Sequence, residues 1–413
     1  MSFSDQLRRV VRGASLAGSP GEPEGLSPHA RKEDVAGVLG GEWREWHGHP
    51  YLVIERTYTP GHRHGGVTVA DSAPGDAGWP VLSVLEPAFA ADGKRVLFVD
   101  LETTGLAGGA GTYAFLVGCG WFDGATFRIR QLLLSAFAAE RGVLQELVDV
   151  GHTAGAVATY NGKTFDLPLI EMRFLFHRLE TPFAGMPHID MLHPARRLWA
   201  DAPSCRLSSV EQAVLGHERE GDVPGFEIPS RYFHYVRTGD ARPLEGVLEH
   251  NRLDLLSLAM LTARAARLLE QGAGAARTAR EAVGLGGLYE RRAMIPDARE
   301  CFLRGADMGL PSDVLVRGEA LHAYAVLCRR ARQYDDAAEA WRRILNLQPL
   351  VPHLAEEARH ALAIHYEHRR REFQVAKEFA LQSLELNAVP AKLQAVHYRL
   401  ARLDRKLARS SLL

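Results

Sequence analysis

Three short acidic segments constrain the fold of this 413-residue chain more than any other feature. The first carries Asp100 and Glu102, the second ends in Asp166, and the third contains His250 and Asp254. Four carboxylates cannot share a small space at neutral pH unless something cationic lies between them, because each charge disfavours ionisation of the others. The economical explanation is a pair of divalent metal ions that serve phosphoryl-transfer chemistry.

The first segment follows a continuous apolar run. Val96–Val99 has the composition of a central, buried strand. Asp100 and Glu102 are two residues apart on that strand, so their side chains leave the same face. An acidic pair at a strand end can be solvated and without function, but two carboxylates beside so apolar a run are costly to bury. We therefore predict a chemical role for this pair.

The other two segments are weaker evidence when each is taken alone. Asp166 lies between a predicted strand and a predicted helix, where aspartate is also a preferred N-cap. His250 and Asp254 are four residues apart on a predicted helix, as polar surface pairs commonly are. The helix is rich in leucine, so a polar pair on its buried side needs partners. Taken together, the three segments favour a single site.

Composition excludes several classes of protein. The chain is 46% hydrophobic and 24% charged, as is typical of soluble globular proteins. No apolar run approaches the ~20 residues that span a bilayer, and the N-terminus lacks the apolar core of a secretory signal. We therefore expect a cytoplasmic protein that has no membrane partner.

Charge excludes a constitutive nucleic-acid binder with a global basic footprint, since the net charge is −1. The basic segment 391–413 could contact a phosphate backbone, but a solvated helix face is favoured.

Residues 1–94 are predicted to be an N-terminal segment, partly flexible and with short strands at 51–55 and 67–70. His62 and His64 lie between those runs. Two histidines at this spacing could bind a metal on a strand, but an exposed polar turn is favoured because no third ligand lies nearby in sequence.

Residues 95–272 are predicted to form an α/β domain. Strand patterns at 96–99, 114–121 and 127–134 precede an alternation of helices with short strands at 156–160 and 188–190. Three antiparallel strands followed by this alternation are the order expected of a ribonuclease H-like domain, with a mixed five-stranded sheet flanked by helices.

Residues 280–413 are predicted to form an all-α repeat domain. The segment is self-similar at a spacing close to 38 residues, and each of three units combines small residues, aromatic residues and a closing proline. This pattern is typical of tetratricopeptide-like repeats. An unrelated helical bundle is the alternative.

The three acidic segments resemble the Exo I, Exo II and Exo III motifs of the DEDD exonuclease superfamily, which includes polymerase proofreading domains. The spacing from Asn161 to Asp166 is similar to that of family B polymerase proofreading sites. Over residues 95–413 the chain resembles the YprB-like bacterial proteins, in which a ribonuclease H-fold exonuclease domain precedes tetratricopeptide repeats. The phrases that carry this resemblance are residues 101–112 with 114–118, and residues 215–225.

One position departs from the superfamily's two standard patterns. They place tyrosine three residues, or histidine four residues, before the last aspartate, counting intervening positions. Three residues separate His250 from Asp254, so histidine occupies the tyrosine position and Glu249 the usual histidine position. The YprB-like pattern accommodates this arrangement.

The resemblance implies a two-metal-ion site. Asp100, Glu102, Asp166 and Asp254 would hold two Mg²⁺ or Mn²⁺ ions about 3.5–4 Å apart. Oxygen ligands suit these hard cations better than zinc. His250 would orient the attacking water or accept its proton.

The resemblance also suggests residues that grip the 3′-terminal nucleotide. Thr103, Thr104 and Leu106 are the candidates, with Asn161 assisting. Glycines at 105, 108, 109 and 111 would let the backbone approach the nucleotide, although a mobile turn explains them equally well.

The implied activity is a metal-dependent 3′→5′ exonuclease that hydrolyses phosphodiester bonds, with DNA favoured over RNA and a role in DNA processing or repair. The repeats would recruit a protein partner. A structure-selective endonuclease on the same fold is one alternative. The other is a repeat-based scaffold with an inactive nuclease domain, against which the four intact acids argue.

Overall fold

The fold is that of a computed structural model, which describes residues 28–75, 78–90, 94–105, 111–308, 310, 313–384 and 390–410. The elements below lie within these ranges. In them, no helix is both long enough and apolar enough to cross a membrane.

A seven-stranded mixed sheet organises the N-terminal two thirds of the chain, with the strand order β1-β2-β7-β6-β5-β8-β9. Strands β5 to β8 form its centre, and β5 pairs antiparallel with β6 and parallel with β8. The strands are β1 (Glu42–Trp46), β2 (His49–Tyr58), β5 (Arg95–Thr103), β6 (Ala114–Asp123), β7 (Thr126–Leu133), β8 (Ala154–Thr159) and β9 (His188–Asp190), with a separate small hairpin of β3 (Arg63–His64) and β4 (Val67–Thr68).

The ribonuclease H-like fold class is confirmed, and the strand count is corrected. Strands β5 to β9 are the five that the sequence predicts, but β1 and β2 continue the sheet to seven. Strand β2 pairs antiparallel with β7 from Leu52 to Tyr58, and its residues 51–54 are buried. Residues 42–58 thus extend the sheet of the domain predicted at 95–272, whose boundaries stay a prediction.

Helices cover both faces of the sheet. Alternate residues of β5 enter different apolar clusters, Leu97 and Val99 on one side and Val96 and Phe98 on the other. The helices of this region are α1 (Pro28–Leu39), α2 (Val69–Ser72), α3 (Glu140–Gly151), α4 (Asp166–Phe176), α5 (Leu192–Leu198), α6 (Leu207–Leu215), α7 (Ile228–Thr238) and α8 (Arg242–Gln271). Helix α8 packs against β5 and β6, so it lies over the centre of the sheet.

The prediction of an exposed polar turn at the two histidines is wrong for His64. Its side chain is 1% exposed. It is covered by α6 and by the chain that follows α6, because the backbone N–H of Gly66 donates to the carbonyl oxygen of Leu215 at 2.6 Å. The second predicted run, 67–70, is strand only at Val67–Thr68 and then becomes α2.

The C-terminal region is helical, as predicted. Each helix packs against the next along the chain, while the assignment to tetratricopeptide-like repeats stays a prediction. The helices are α9 (Ala279–Arg291), α10 (Ile295–Met308), α11 (Val314–Arg330), α12 (Tyr334–Leu345), α13 (Pro352–His365), α14 (Phe373–Leu384) and α15 (Pro390–Ser410).

The first helices of this region share a core with the sheet. Leu285, Tyr289 and Phe302 belong to the same buried apolar cluster as Phe98. Polar contacts reinforce the junction, since the indole N–H of Trp199 donates to Glu281 at 2.9 Å, and Arg264 donates to the same carboxylate at 2.7 Å.

Candidate active site

The first two carboxylates leave the same face of β5, as predicted. The strand lies between β6 and β8 at the centre of the sheet, and Asp100 is opposite Gly118 of β6. The pairing with β6 becomes irregular between Glu102 and Thr103. The pair of acids therefore lies on a rigid strand just before the point where regular pairing ends.

A buried amide holds Asp100 in place. The Nδ2 atom of Asn251, on α8, donates to Oδ2 of Asp100 at 2.8 Å and to its carbonyl oxygen at 3.2 Å. Gln131 of β7 donates in turn to Oδ1 of Asn251 at 2.8 Å. Asn251 and Gln131 are each 0% exposed. A Cβ atom at Gly118 would lie 2.2 Å from Oδ1 of Asn251, so glycine makes room for this amide.

Asp166 is the first residue of α4 and follows a tightly held loop. Asp190 accepts hydrogen bonds from the backbone N–H groups of Asn161 at 2.7 Å and Lys163 at 3.1 Å. Asn161 has a φ of 69°, in the left-handed region that asparagine tolerates. Burial, with the nearby charges of Asp190 and Asp254, raises the pKa of Asp166 to about 7 against the opposing effect of backbone N–H groups.

His250 and Asp254 share one face of α8, and both face the strand carboxylates. The Nδ1 atom of His250 donates to Asp222 at 2.7 Å. Its Nε2 atom lies 3.6 Å from Oδ2 of Asp254 and 4.0 Å from Oε1 of Glu102. Because Asp222 occupies one ring nitrogen, the other is directed into the acidic cluster.

An arginine neutralises part of this charge. Nη2 of Arg219 donates to Oδ1 of Asp254 and to Oε2 of Glu211, both at 2.6 Å. Burial alone would lower the pKa of Arg219, but the carboxylates of Asp254 and Glu211 raise it overall. Arg219 is therefore a permanent cation at the edge of the site.

Burial and repulsion from neighbouring carboxylates disfavour the charged forms of Asp100 and Glu102. Burial and the charges of Asp254, Glu102 and Asp166 raise the pKa of Asp100 well above its usual range. Burial and the charges of Asp254, Asp166 and Asp222 have the same effect on the pKa of Glu102. A cation bound between these groups would relieve the repulsion.

The donor set fits hard divalent cations, because all four predicted ligands offer carboxylate oxygens. Among the described residues, the one group of three histidine or acidic ligand atoms that lie within 4.8 Å of one another is found elsewhere. The carboxylates are nevertheless close enough to raise one another's pKa. Mg²⁺ in proteins usually takes one or two carboxylates and completes its shell with water and substrate phosphate, so this donor set is sufficient for it.

The predicted nucleotide-binding residues have structural roles of their own. The hydroxyl of Thr103 donates to the carbonyl oxygen of Gly105 at 2.9 Å. The hydroxyl of Thr104 accepts from the backbone N–H of Tyr113 at 3.0 Å. Both bonds shape the turn after β5, and Leu106 lies outside the described residues. Contact between a nucleotide and Thr103, Thr104, Leu106 or Asn161 stays a prediction.

Comparison with known proteins identifies this architecture. Residues 97–266 match the family model described as the RNase_H superfamily. This part of the chain is a ribonuclease H superfamily domain. The matched range contains Asp100, Glu102, Asp166, His250 and Asp254, and a domain of this superfamily is nuclease-like.

A bacterial relative resembles the whole chain. The chain is 28% identical to the uncharacterized protein YprB of Bacillus subtilis (strain 168) over 425 residues, which cover 98% of this chain and 99% of that protein. The likeness therefore includes the N-terminal strands and the helical region as well as the ribonuclease H domain.

Four polar residues around the carboxylates of the ribonuclease H domain were not predicted. Asn251 lies within the third acidic segment, and Asp222 lies within residues 215–225. The sequence could therefore have suggested both as polar partners of the site residues. Arg219 lies in the same stretch as Asp222, but its contact with Asp254 depends on how the loop after α6 packs against α8. Gln131 carries no such signal, because its contact with Asn251 depends on the packing of α8 against the sheet.

Proposed function

We propose that this protein is a metal-dependent 3′→5′ exonuclease that hydrolyses the phosphodiester bonds of nucleic acid, with DNA as the favoured substrate. The observation that carries the proposal is the convergence of Asp100, Glu102, Asp166 and Asp254 with His250 in a ribonuclease H superfamily domain. The resemblance of the three acidic segments to the motifs of proofreading domains supports the 3′→5′ direction and DNA.

The four carboxylates are the proposed ligands of two Mg²⁺ or Mn²⁺ ions. Bound ions of this kind activate a water molecule and offset the charge that develops on the leaving 3′ oxygen. Asp100 and Asp254 would be shared by the two ions, since each interacts electrostatically with the other three carboxylates. Arg219 holds one oxygen of Asp254 and leaves the other on the side of His250.

His250 is the proposed proton acceptor. Its Nδ1 atom lies 2.7 Å from Asp222, a contact that fixes the orientation of the ring and, in the neutral tautomer, places the proton on Nδ1. In that tautomer Nε2, which faces Glu102 and Asp254, is the nitrogen that can accept a proton. A water molecule near those carboxylates would have its proton acceptor within reach.

An exposed aromatic side chain extends the proposed substrate site. Phe165 immediately precedes Asp166 and is 58% exposed. An aromatic face at this position can stack on a terminal base, and such stacking contributes about 1–3 kcal/mol per base in single-strand binders.

The test is a cleavage assay on single- and double-stranded DNA and RNA labelled at the 3′ or the 5′ end, with Mg²⁺, Mn²⁺ or EDTA. The Asp100→Asn variant removes a charge without changing the size of the side chain. Asp149→Asn removes an exposed charge on α3 and is the matched control. We expect a metal-dependent ladder that shortens from the 3′ end in the wild type and the control, and loss of cleavage by at least ~1,000-fold in Asp100→Asn.

Two other results of this assay would each favour a different function. Cleavage of a circular single strand would favour the endonuclease alternative. Absence of cleavage on every substrate with both metals, together with unchanged metal binding in Asp100→Asn by calorimetry, would favour a scaffold with an inactive nuclease domain.

A further inference from the structure

A second cluster of metal-ligand side chains lies outside the carboxylate site. His64 comes from the small hairpin β3–β4, Glu211 from α6, and His217 from the loop after α6. One ligand atom of each lies within 4.8 Å of the others. The two imidazole rings are stacked, with their centroids 4.0 Å apart.

Glu211 has a buried oxygen that faces the two imidazoles. Its side chain is 0% exposed, and Arg219 takes Oε2 at 2.6 Å. Among the described residues, Oε1 accepts no well-formed hydrogen bond. It lies instead 3.4 Å from Nε2 of His64 and 3.5 Å from Nε2 of His217. A buried carboxylate oxygen without a well-formed hydrogen bond is costly, and a cation bound jointly by this oxygen and the two imidazoles would stabilise it.

The spacing of these atoms suits a small tetrahedral ion. Zinc binds histidine nitrogen and carboxylate oxygen at about 2.0–2.2 Å, so two ligands of a tetrahedral zinc ion are about 3.4 Å apart. The two distances from Oε1 of Glu211 match that separation. Two imidazoles and one carboxylate are also a ligand set that zinc takes in proteins, with a fourth position left for water.

The backbone brings the hairpin close enough to supply His64. Gly65 has a φ of 60°, and a Cβ atom there would lie 2.2 Å from the carbonyl oxygen of Leu215. Only glycine can therefore occupy this turn. Without an ion, Oγ of Ser257 on α8 lies 2.7 Å from the same Nε2 of His64. This hydrogen bond holds the ring between α6 and α8, and Nε2 would exchange it for the bond to the ion.

We propose that His64, Glu211 and His217 form a binding site for a single zinc-class divalent ion, distinct from the carboxylate site of the ribonuclease H domain. The ion binds two imidazoles and Oε1 of Glu211, and it ties the hairpin β3–β4 to α6. Its effect reaches Asp254, since Arg219 bridges Glu211 and Asp254. This proposal does not depend on the nuclease proposal.

The test measures zinc rather than activity. Full-length protein is stripped with a chelator, loaded with Zn²⁺, dialysed against buffer containing Mg²⁺, and assayed for zinc by mass spectrometry. All samples carry Asp100→Asn, so that the carboxylate site contributes little to the bound zinc. We expect about one zinc ion per chain, and a visible Co²⁺ absorption band of tetrahedral type when Co²⁺ replaces Zn²⁺.

Two variants separate this site from general histidine binding. His217→Gln removes a partly exposed ligand and should reduce the retained zinc at least tenfold. His62→Gln removes the neighbouring histidine, whose ring contacts that of Tyr58, and should retain zinc in full. Circular dichroism checks that both variants are folded.

The proposal would be overturned if the protein with intact His64, Glu211 and His217 retained no zinc or gave no cobalt band, whatever the variants did. So would equal zinc in His217→Gln, or a loss of zinc confined to His62→Gln. In those cases the cluster is a packed histidine pair held by Ser257 and Arg219.

Discussion

Gly118 affects the position of Asp100 through Asn251. A Cβ atom there would overlap the side-chain amide of Asn251, which donates to Asp100. We expect Gly118→Ala to lower kcat/KM by about 10–100-fold, as loss of a residue that orients a metal ligand does. Overpacking should also lower the free energy of unfolding by about 1–3 kcal/mol.

Cleavage kinetics and urea denaturation check this prediction. Gly287→Ala on α9 is the control, because a Cβ atom there meets nothing within 4 Å. Wild-type activity in Gly118→Ala would show that Asn251 does not position Asp100.

The raised pKa of Asp166 predicts how the stability of the metal-free protein depends on pH. That pKa is about 7 in the folded chain, chiefly because of burial, and about 4 in an unfolded chain. Between these values the folded state binds more protons than the unfolded state, so the free energy of unfolding falls as pH rises. In EDTA, we expect a higher Tm at pH 6 than at pH 8, and bound Mg²⁺ or Mn²⁺ should recover the loss at pH 8.

Thermal unfolding of Asp166→Asn isolates this effect from other titrating groups. The variant should lose less Tm between pH 6 and pH 8 than the wild type, and should be more stable than it at pH 8 in EDTA. The Asp149→Asn control should follow the wild type. An Asp166→Asn curve parallel to the wild type would contradict the prediction.

Single residues also show how far sequence reasoning reached into the site. The strand and helix periods correctly placed Asp100 with Glu102 and His250 with Asp254 on shared faces. The same reasoning misjudged His64, because its neighbours Glu211 and His217 come from a distant part of the chain. Local periodicity predicts which residues share a face, but it does not predict which distant loop covers them.

At the scale of elements, Glu367 anchors the last helix. It lies in the short turn after α13 with a 0% exposed side chain, and it pairs with Arg399, Arg402 and Lys406 of α15. These contacts correct the expectation of a simply solvated basic face. Burial opposes ionisation, but these cations lower the pKa of Glu367 to about 2.

We expect Glu367→Gln to lower the free energy for opening of α15 by about 3 kcal/mol, since breaking a buried ion pair leaves the charges of its partners uncompensated. The wild-type contribution is present above about pH 4 and is lost as pH falls toward 2. Hydrogen exchange of α15 amides measures the change. The exposed Glu378→Gln is the control, and equal exchange in both variants would refute the anchoring role.

The elements that sequence predicted correctly have a strong local signal. Strands β5, β6 and β8 contain apolar runs, and β7 begins with alternating polar and apolar residues. Strand β1 mixes charged and aromatic residues, and within the described residues it pairs with β2 alone, so its membership of the sheet depends on that partner. The pairing of β2 with β7 joins distant segments, which no local pattern predicts.

At the scale of the whole molecule, the helical region completes the core of the ribonuclease H domain. Leu285, Tyr289 and Phe302 bury the same cluster as Phe98. A chain ended at residue 275 should therefore expose this cluster and lose several kcal/mol of stability, at about 25 cal/mol per Å² of apolar surface.

Thermal melting and gel filtration test this, with a chain ended at residue 350 as the control because it keeps α9 to α12. We expect the shorter chain to melt well below the control or to aggregate. Equal melting temperatures would show that the domain predicted at 95–272 folds without the helices. A protein partner of those helices stays a prediction.

Helix α8 is continuous and contacts both the carboxylate site and the helical region. Asp254 lies in its first half, and Leu269, whose carbonyl oxygen accepts from Tyr289 of α9, lies near its end. At 1.5 Å per residue, these positions are about 22 Å apart along a single axis. A movement of the helical region that tilts α8 would therefore also displace the carboxylate of Asp254.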